Sequence, residues 1–186
     1  MLMGDKNITY WSEQWLSFKH GDLIAFNRIY DYFFDCLYHY GCKLTCQTDL
    51  VEDCIQELFL TLYTRRDNLS ETDNVEFYLL KALKLTIYGK LRKESRFLDI
   101  YEAAGLCFEL EFAVELESAE DKFDDHIESI KKYLKTLKPE SRELVYLKFY
   151  TNLNYKEIGE MLGIQPSSVK KQVYRIMLKM RNVLVK

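Results

Sequence analysis

The residue types that interrupt helices are scarce in this chain. Its 186 residues include only two prolines and seven glycines. Leu, Lys and Glu are abundant, and few stretches alternate between polar and apolar residues, so the sequence predicts an all-α protein. The length allows two small helical domains, each with a modest core of its own.

Other absences exclude whole classes of protein. The five cysteines are scattered without a paired framework, which fits a reducing compartment better than a disulfide scaffold. No apolar run is long enough to span a membrane, and the first residues lack the layout of a signal peptide. No phosphate-binding glycine loop, nucleophile elbow or His-Glu-x-x-His sequence occurs. We therefore expect a cytoplasmic protein without membrane insertion and without catalytic residues.

One group of residues raises the possibility of a metal site. His39, Cys42 and Cys46 would share a helix face at i, i+3 and i+7, a spacing compatible with zinc. A fourth ligand is not evident, however, and small buried thiols between helices explain the same residues. We therefore expect neither a metal site nor a cofactor.

Charge is distributed in blocks along the chain. The formal net charge is −3, which by itself argues against a nucleic-acid binder. Residues 97–129 carry eleven acidic residues against one lysine, whereas residues 130–186 carry thirteen basic residues against four glutamates. An acidic connector of net charge −10 thus precedes a basic domain of net charge +9. The connector either folds back on that domain and masks it or serves as a soluble, extended spacer.

The C-terminal run, residues 153–184, predicts two helices joined by a turn. Asn154 can cap the first helix, and Glu157 can complete a capping box. Gly163 is placed to end that helix, and Pro166 suits the first position of the second. Such a pair, with cations near the start of the second helix, is typical of a helix-turn-helix that binds the DNA major groove.

The second helix of this pair has one apolar and one cationic face. The apolar stripe consists of Val169, Val173, Ile176, Met177, Met180 and Leu184. Gly159, in the middle of the first helix, indicates a point where the second helix approaches too closely for a side chain. The alternative is a plain helical hairpin with a solvated Lys/Arg face.

The N-terminal part predicts three longer helices with different characters. The first, from Leu23, is rich in core-facing aromatic residues. In the second, Leu60 and Phe59 widen the apolar surface beyond one core face, which indicates a partner surface. After a polar loop over residues 65–74, the third helix (Val75–Arg96) has a basic side interleaved with tyrosines. That side suits contact with phosphates and single-stranded bases, although solvated charge near a helix C-terminus explains it equally well.

The order of these pieces resembles the bacterial RNA polymerase sigma factors of the extracytoplasmic-function group. The motifs are Asp53-x-x-Gln56-Glu57-x-Phe59, a polar loop, Tyr78-Leu79-x-x-Ala82 running into Leu91-Arg92-Lys93, a linker, and Leu137-x-Pro139-x-x-Arg142 before the helix-turn-helix. The resemblance implies a polymerase-binding and promoter-melting domain (1–96), an acidic linker (97–129) and a domain that binds the upstream promoter element (130–186).

The resemblance also implies site residues and partners. The surface that binds core RNA polymerase falls on Asp53, Gln56, Glu57, Leu58 and Phe59. The DNA contacts fall on Lys170, Lys171, Arg175, Arg142, Lys148, Ser168, Lys84, Arg92 and Lys93. A loop within Leu69–Val75 is expected to capture a flipped promoter base. Core RNA polymerase, promoter DNA and an anti-sigma factor are the implied partners.

Two departures and one rival interpretation accompany this resemblance. Leu85 and Gly89 stand where the family usually has Asn and Asp, and Gln165-Pro166 replaces a commoner Ser-acid opening of the recognition helix. The rival is a transcriptional regulator that binds duplex DNA through the same helix-turn-helix without acting as a sigma subunit. A protein-interaction domain alone would leave the basic C-terminal block without a purpose.

Overall fold

The structure is a computed structural model that describes residues 5–94, Phe108 and residues 121–184. The chain divides into two units, residues 1–107 and residues 108–186. Every regular element in the described ranges is a helix, so the predicted all-α fold is confirmed. None of the described helices is both long and apolar enough to cross a lipid bilayer.

The first unit is organised around its second helix. Its elements are α1 (Asp5–Lys19), α2 (Leu23–Leu44), α3 (Thr48–Thr64), a 3₁₀ turn (Arg66–Asn68) and α4 (Val75–Glu94). Helix α2 packs against α1, α3 and α4. The Asp22 carboxylate begins α2 by accepting hydrogen bonds from the amides of Ile24 (2.8 Å) and Ala25 (3.2 Å). Gly41 lets α2 approach α3, because a Cβ there would lie 2.5 Å from Cγ1 of Val51.

Aromatic rings fill much of the interior of this unit. Trp11 of α1 packs edge-on against Phe33 of α2, with ring centroids 5.1 Å apart. Phe59 of α3 lies 6.0 Å from Phe26 and 4.7 Å from Tyr30 of α2, centroid to centroid. Such pairs add to the stabilisation that ring burial supplies. The aromatic-rich α2 is therefore a packing helix, as its sequence predicted.

The described residues of the second unit include four helices after Phe108. They are α5 (Asp121–Lys135), α6 (Pro139–Tyr150), α7 (Tyr155–Leu162) and α8 (Pro166–Leu184). Helix α8 packs against α5, α6 and α7. Its core residues include Leu134, Leu147, Ile158 and Val173, one from each helix. Because α5 spans Asp121–Lys135, the last part of the stretch 97–129, which the sequence predicted to be a linker, is helical.

Candidate polymerase and nucleic-acid interfaces

Helices α7 and α8 form the predicted helix-turn-helix. The Asn154 side chain accepts from the amides of Lys156 (2.9 Å) and Glu157 (3.0 Å), and the Glu157 carboxylate accepts from the Asn154 amide (2.7 Å). This reciprocal capping box begins α7. Gly163 ends α7 in the left-handed conformation, with φ of 68°. Local sequence cues thus placed both ends of α7 correctly.

Gly159 marks the closest approach between α7 and the turn that follows. A Cβ at this position would lie 2.6 Å from the carbonyl oxygen of Ile164 and 3.4 Å from the nitrogen of Pro166. The predicted crowding is therefore real. It arises from the backbone of the turn and the first residue of α8, so no side-chain rotation can relieve it.

The exposed face of α8 carries the predicted DNA contacts. Lys170, Lys171 and Arg175 are exposed and Ser168 is half-buried, whereas Val169, Val173 and Ile176 are buried on the opposite side. Met177, which the periodicity assigned to the packed stripe, is instead exposed. The i, i+4 spacing brings Lys171 and Arg175 to one stripe of the helix.

Tyr174 is a feature of this face that the sequence analysis did not single out. Its side chain is 68% exposed and lies one residue before Arg175. An apolar surface beside cations in a major-groove helix is suited to contact with a thymine methyl group. A tyrosine on the polar side of an amphipathic helix was the signal that could have identified it.

The two predicted phosphate contacts, Arg142 and Lys148, both lie on α6 and are half-buried. The Lys148 ammonium lies 4.9 Å from the centroid of the Tyr155 ring, which is a cation–π arrangement. Arg142 donates from Nε to the carbonyl of Leu137 (3.1 Å) and from Nη1 to the carbonyl of Phe108 (3.0 Å). Contact of either side chain with phosphate stays a prediction, and Arg142 would have to share or leave these acceptors.

The predicted polymerase-binding residues on α3 separate into two groups. Asp53, Gln56 and Glu57 are exposed, whereas Leu58 and Phe59 are buried in the unit's own core, with Phe59 only 3% exposed. The expectation that Phe59 widens an exposed apolar surface is therefore wrong, because rings of α2 cover it.

The exposed apolar member of this face of α3 is Leu60, at 64% exposure. The spacing of Asp53, Gln56, Glu57 and Leu60 is i, i+3, i+4 and i+7, which places all four on one stripe of the helix. We call these four residues the α3 face. It combines an apolar side chain with two carboxylates and an amide.

Glu57 is also connected to α4. Nζ of Lys90 lies 3.1 Å from Oε2 of Glu57. Burial lowers the pKa of Lys90, but the hydrogen bond to Glu57 and the neighbouring negative charges raise it above its usual value. The pair fixes the orientation of one carboxylate of the α3 face.

Of the predicted DNA-contacting cations of α4, Arg92 and Lys93 lie in its last turn and Lys84 lies near its middle. Arg92 and Lys93 are exposed, and Lys84 is half-buried with its ammonium 5.4 Å from the centroid of the Tyr88 ring. Leu85 is 63% exposed beside Lys84, and Gly89 has open space around it. The two departures from the family pattern thus replace polar side chains on a solvent-facing surface and affect no core packing. Arg96, which the sequence analysis placed in this helix, lies outside the described residues.

A cavity of about 340 Å³ lies between α3, the 3₁₀ turn and α4. This volume falls within the range of small-molecule sites. Its lining consists of Glu57, Leu58, Thr61, Leu62, Arg65, Asn68, Leu69, Tyr78, Ala82 and Thr86. Leu69 connects this cavity to the loop that the sequence analysis assigned to base capture.

That loop, Leu69–Val75, is held at both ends. The indole nitrogen of Trp15 donates to the carbonyl of Ser70 at 3.1 Å. At the other end, the Asn74 side chain accepts from the Phe77 amide (3.1 Å) and so caps α4. The loop is therefore pre-positioned by α1 and α4, a role of Trp15 that sequence periodicity could not reveal.

The cysteines do not form a metal site in the part of the chain that is described. Cys46 is disulfide-bonded, whereas Cys36, Cys42 and Cys54 are not part of a disulfide. His39 is exposed, and no described cluster of His, Cys, Asp or Glu has the geometry of a metal site. The disulfide departs from the expectation of an unpaired set of cysteines.

Comparison with known proteins agrees with this arrangement. The chain matches the family model for Sigma-70 region 2 over residues 27–97 and that for Sigma-70 region 4 over residues 127–180. It is 27% identical over 164 residues to the ECF RNA polymerase sigma factor SigW of Bacillus subtilis (strain 168), covering 84% of this chain and 87% of the relative.

A solved structure shows a similar fold. The sigma factor RpoE, crystallised with the anti-sigma factor NepR from Bartonella quintana, aligns with a TM-score of 0.55 and 18% identity, over 86% of this chain and 96% of that chain. The two family-model matches together cover most of the chain, which therefore belongs to the Sigma-70 family of sigma factors, subunits that direct RNA polymerase to promoters. Within that family it is similar to the extracytoplasmic-function group, of which the relative SigW is a member. The comparisons do not favour the rival of a regulator without sigma activity.

Proposed function

We propose that the N-terminal unit binds core RNA polymerase through the α3 face and that the C-terminal unit binds the upstream promoter element through α8. One observation carries this division of roles. Exposed acidic and apolar residues lie on α3 of the first unit, whereas exposed Lys170, Lys171 and Arg175 lie on the recognition helix of the second. The acidic and apolar residues of α3 suit contact with another protein, whereas the cations of α8 suit contact with DNA.

Within the N-terminal unit, α4 and the preceding loop handle the downstream element. Lys84, Arg92 and Lys93 supply positive charge for the phosphate backbone. The loop Leu69–Val75 and the adjoining cavity receive a base that has left the duplex. Support comes from the polar and aromatic lining of the cavity, which includes Tyr78, because flipped bases are commonly held by stacking and hydrogen bonds.

Within the C-terminal unit, base reading and positioning are divided between two helices. Lys170, Lys171 and Arg175 reach base edges in the major groove, and Ser168 lies at the N-terminal end of the same helix. Arg142 and Lys148 of α6 contact phosphates and so fix the orientation of the unit without reading sequence.

The proposed place of action is the cytoplasm, where the polymerase works, and no catalytic step belongs to this chain itself. An anti-sigma factor is a further proposed partner. The support is the solved structure with a similar fold, which was determined as a complex of a sigma factor with an anti-sigma factor.

The decisive experiment is transcription in vitro from a pool of randomised promoter sequences, with core RNA polymerase in the presence and absence of the purified protein. We expect specific transcripts only when the protein is added, and a shared upstream motif among the templates that are transcribed. The Arg175→Ala variant should lose that motif, while a Lys179→Ala variant, one turn further along α8, should retain it. Specific duplex binding by the protein alone, with no transcript in any reaction, would refute the proposal.

A further inference from the structure

Phe108 is buried against helix α6 although it lies far from this helix in sequence. Its side chain is 3% exposed, and its ring packs edge-on against the ring of Tyr146, with centroids 5.9 Å apart and planes at 77°. Its carbonyl oxygen accepts a hydrogen bond from Nη1 of Arg142 at 3.0 Å. Both the side chain and the backbone of this one residue are thus engaged.

The residues that hold Phe108 form a compact receptor on α6. Arg142 and Tyr146 are four residues apart and therefore adjacent on one face of the helix. Tyr146 is itself buried and stacks on Tyr150, with ring centroids 5.2 Å apart and planes at 7°. The aromatic ring of Tyr146 and the guanidinium of Arg142 thus match the ring and the backbone carbonyl of Phe108.

The same contact occupies donors that phosphate binding would use. Arg binds phosphate most strongly through two parallel N–H groups from neighbouring nitrogens. Nε of Arg142 already donates to Leu137, and Nη1 donates to Phe108. Each of the two donor edges of the guanidinium therefore includes a nitrogen that is already hydrogen-bonded to a backbone carbonyl.

We propose that Phe108 is an internal ligand of the Arg142–Tyr146 face and that its docking withholds Arg142 from DNA phosphate in the free protein. Phe108 belongs to the acidic segment 97–129 of net charge −10, so docking also ties part of that segment to the basic unit. A tethered ligand acts at high effective concentration, which lets a single residue compete with DNA. This inference rests on the proposed phosphate contact of Arg142.

The test uses the full-length protein and a fluorescent promoter duplex at low salt. Phe108→Ala should tighten duplex binding by roughly three- to tenfold, because the binding-competent fraction of molecules rises. In an Arg142→Ala background the same substitution should have no effect, since the two residues act through one contact. Phe149→Ala, which removes an exposed ring from the same helix, is the matched control and should leave affinity unchanged.

A second measurement observes docking without DNA. The side-chain Nε–H signal of Arg142 in a 15N NMR spectrum should shift in Phe108→Ala and stay in place in Phe149→Ala. An unmoved signal in Phe108→Ala would overturn the docking, and a moved signal with unchanged duplex affinity would overturn the competition with DNA. If Arg142→Ala alone leaves duplex affinity unchanged, the phosphate role of Arg142 fails, while the NMR signal still decides whether Phe108 docks.

Discussion

Lys90 of α4 and Glu57 of α3 form an ion pair of 3.1 Å on the side of the first unit that carries the α3 face. Both side chains are partly exposed, so screening by water limits the contribution of the pair to folding to under about 1 kcal/mol. Because the pKa of Lys90 is raised, that contribution is complete at neutral pH and is lost only as the pH rises through the raised pKa. The main consequence of the pair is the position of the Glu57 carboxylate.

A charge swap distinguishes the contribution of Glu57 to stability from its proposed contact with core polymerase. The single variant Glu57→Lys should lower both stability, slightly, and affinity for core polymerase. Adding Lys90→Glu restores an ion pair of opposite polarity, so the melting temperature should recover while polymerase binding should not. Recovery of both would mean that the pair only supports the fold and that Glu57 makes no contact with polymerase. Thermal unfolding and co-purification with core enzyme measure the two outcomes.

Leu60 provides a second test of the α3 face. Because its side chain is exposed, Leu60→Ala should change the free energy of unfolding by less than about 0.5 kcal/mol. We expect it to weaken binding to core polymerase by about 1 kcal/mol or more, as for a buried interface anchor. Leu85→Ala on α4, with the same chemical change and 63% exposure, is the matched control and should leave polymerase affinity unaltered. Equal affinities for both variants would count against the α3 face.

Phe59 is unsuitable for such a test because it is buried, and its burial could not be predicted from the sequence alone. The helical spacing of apolar residues in α3 correctly predicted its buried stripe, which includes Val51, Cys54 and Leu62. It could not decide which of the adjacent residues Phe59 and Leu60 faces the core, because that depends on the rings that α2 contributes from elsewhere in the chain. A Phe59→Ala substitution would cost about 3–5 kcal/mol of stability and so confound a binding assay.

The helix-turn-helix was more predictable because its signals are local. The cap at Asn154, the left-handed Gly163 and the proline at the start of α8 each act within a few residues. By contrast, the docking of Phe108 on α6 joins residues separated by 34 positions. The charge pattern left open whether the acidic segment folds back on the basic unit, but neither that pattern nor any hydrophobic period indicated that Phe108 would contact Arg142 and Tyr146.

Arg175 is expected to read bases as well as bind phosphate. A bidentate contact of arginine with guanine contributes about 1–3 kcal/mol of discrimination. Arg175→Ala should therefore reduce affinity for the preferred promoter more than for scrambled duplex, whereas Lys179→Ala should reduce both by similar, smaller amounts. Parallel titrations of both duplexes at one salt concentration make the comparison. Equal losses on the two duplexes would assign Arg175 to positioning alone.

Two glycines in helices should respond in opposite directions to the same substitution. Gly89 has open space around it, so Gly89→Ala should stabilise α4 by up to about 1 kcal/mol through helix propensity. Gly159→Ala would push a Cβ to 2.6 Å from the Ile164 carbonyl oxygen and should destabilise the C-terminal unit by about 1–3 kcal/mol. Thermal unfolding of both variants provides the measurement. A stabilised Gly159→Ala protein would show that the turn can relax.

The buried thiol of Cys36 makes the free energy of unfolding of the first unit depend on pH in the alkaline range. The pKa of this thiol is raised to about 12, chiefly by burial and further by the negative charge of Glu76 and a hydrogen bond to that carboxylate, 3.8 Å from sulfur to oxygen. Above the ordinary thiol pKa, the unfolded chain has released this proton while the native state retains it. The native state then binds more protons, so the free energy of unfolding must fall as the pH rises from about 9 towards 12.

The comparison of wild type with Cys36→Ala isolates this group from other alkaline titrations. Above pH 9, the free energy of unfolding of the wild type should fall relative to that of Cys36→Ala by up to about 1.4 kcal/mol per pH unit. Urea unfolding at several pH values supplies the data, with redox conditions held constant because Cys46 is disulfide-bonded. If the free energies of unfolding of wild type and Cys36→Ala change in parallel with pH, the thiol has the same pKa in the native protein as in the unfolded chain.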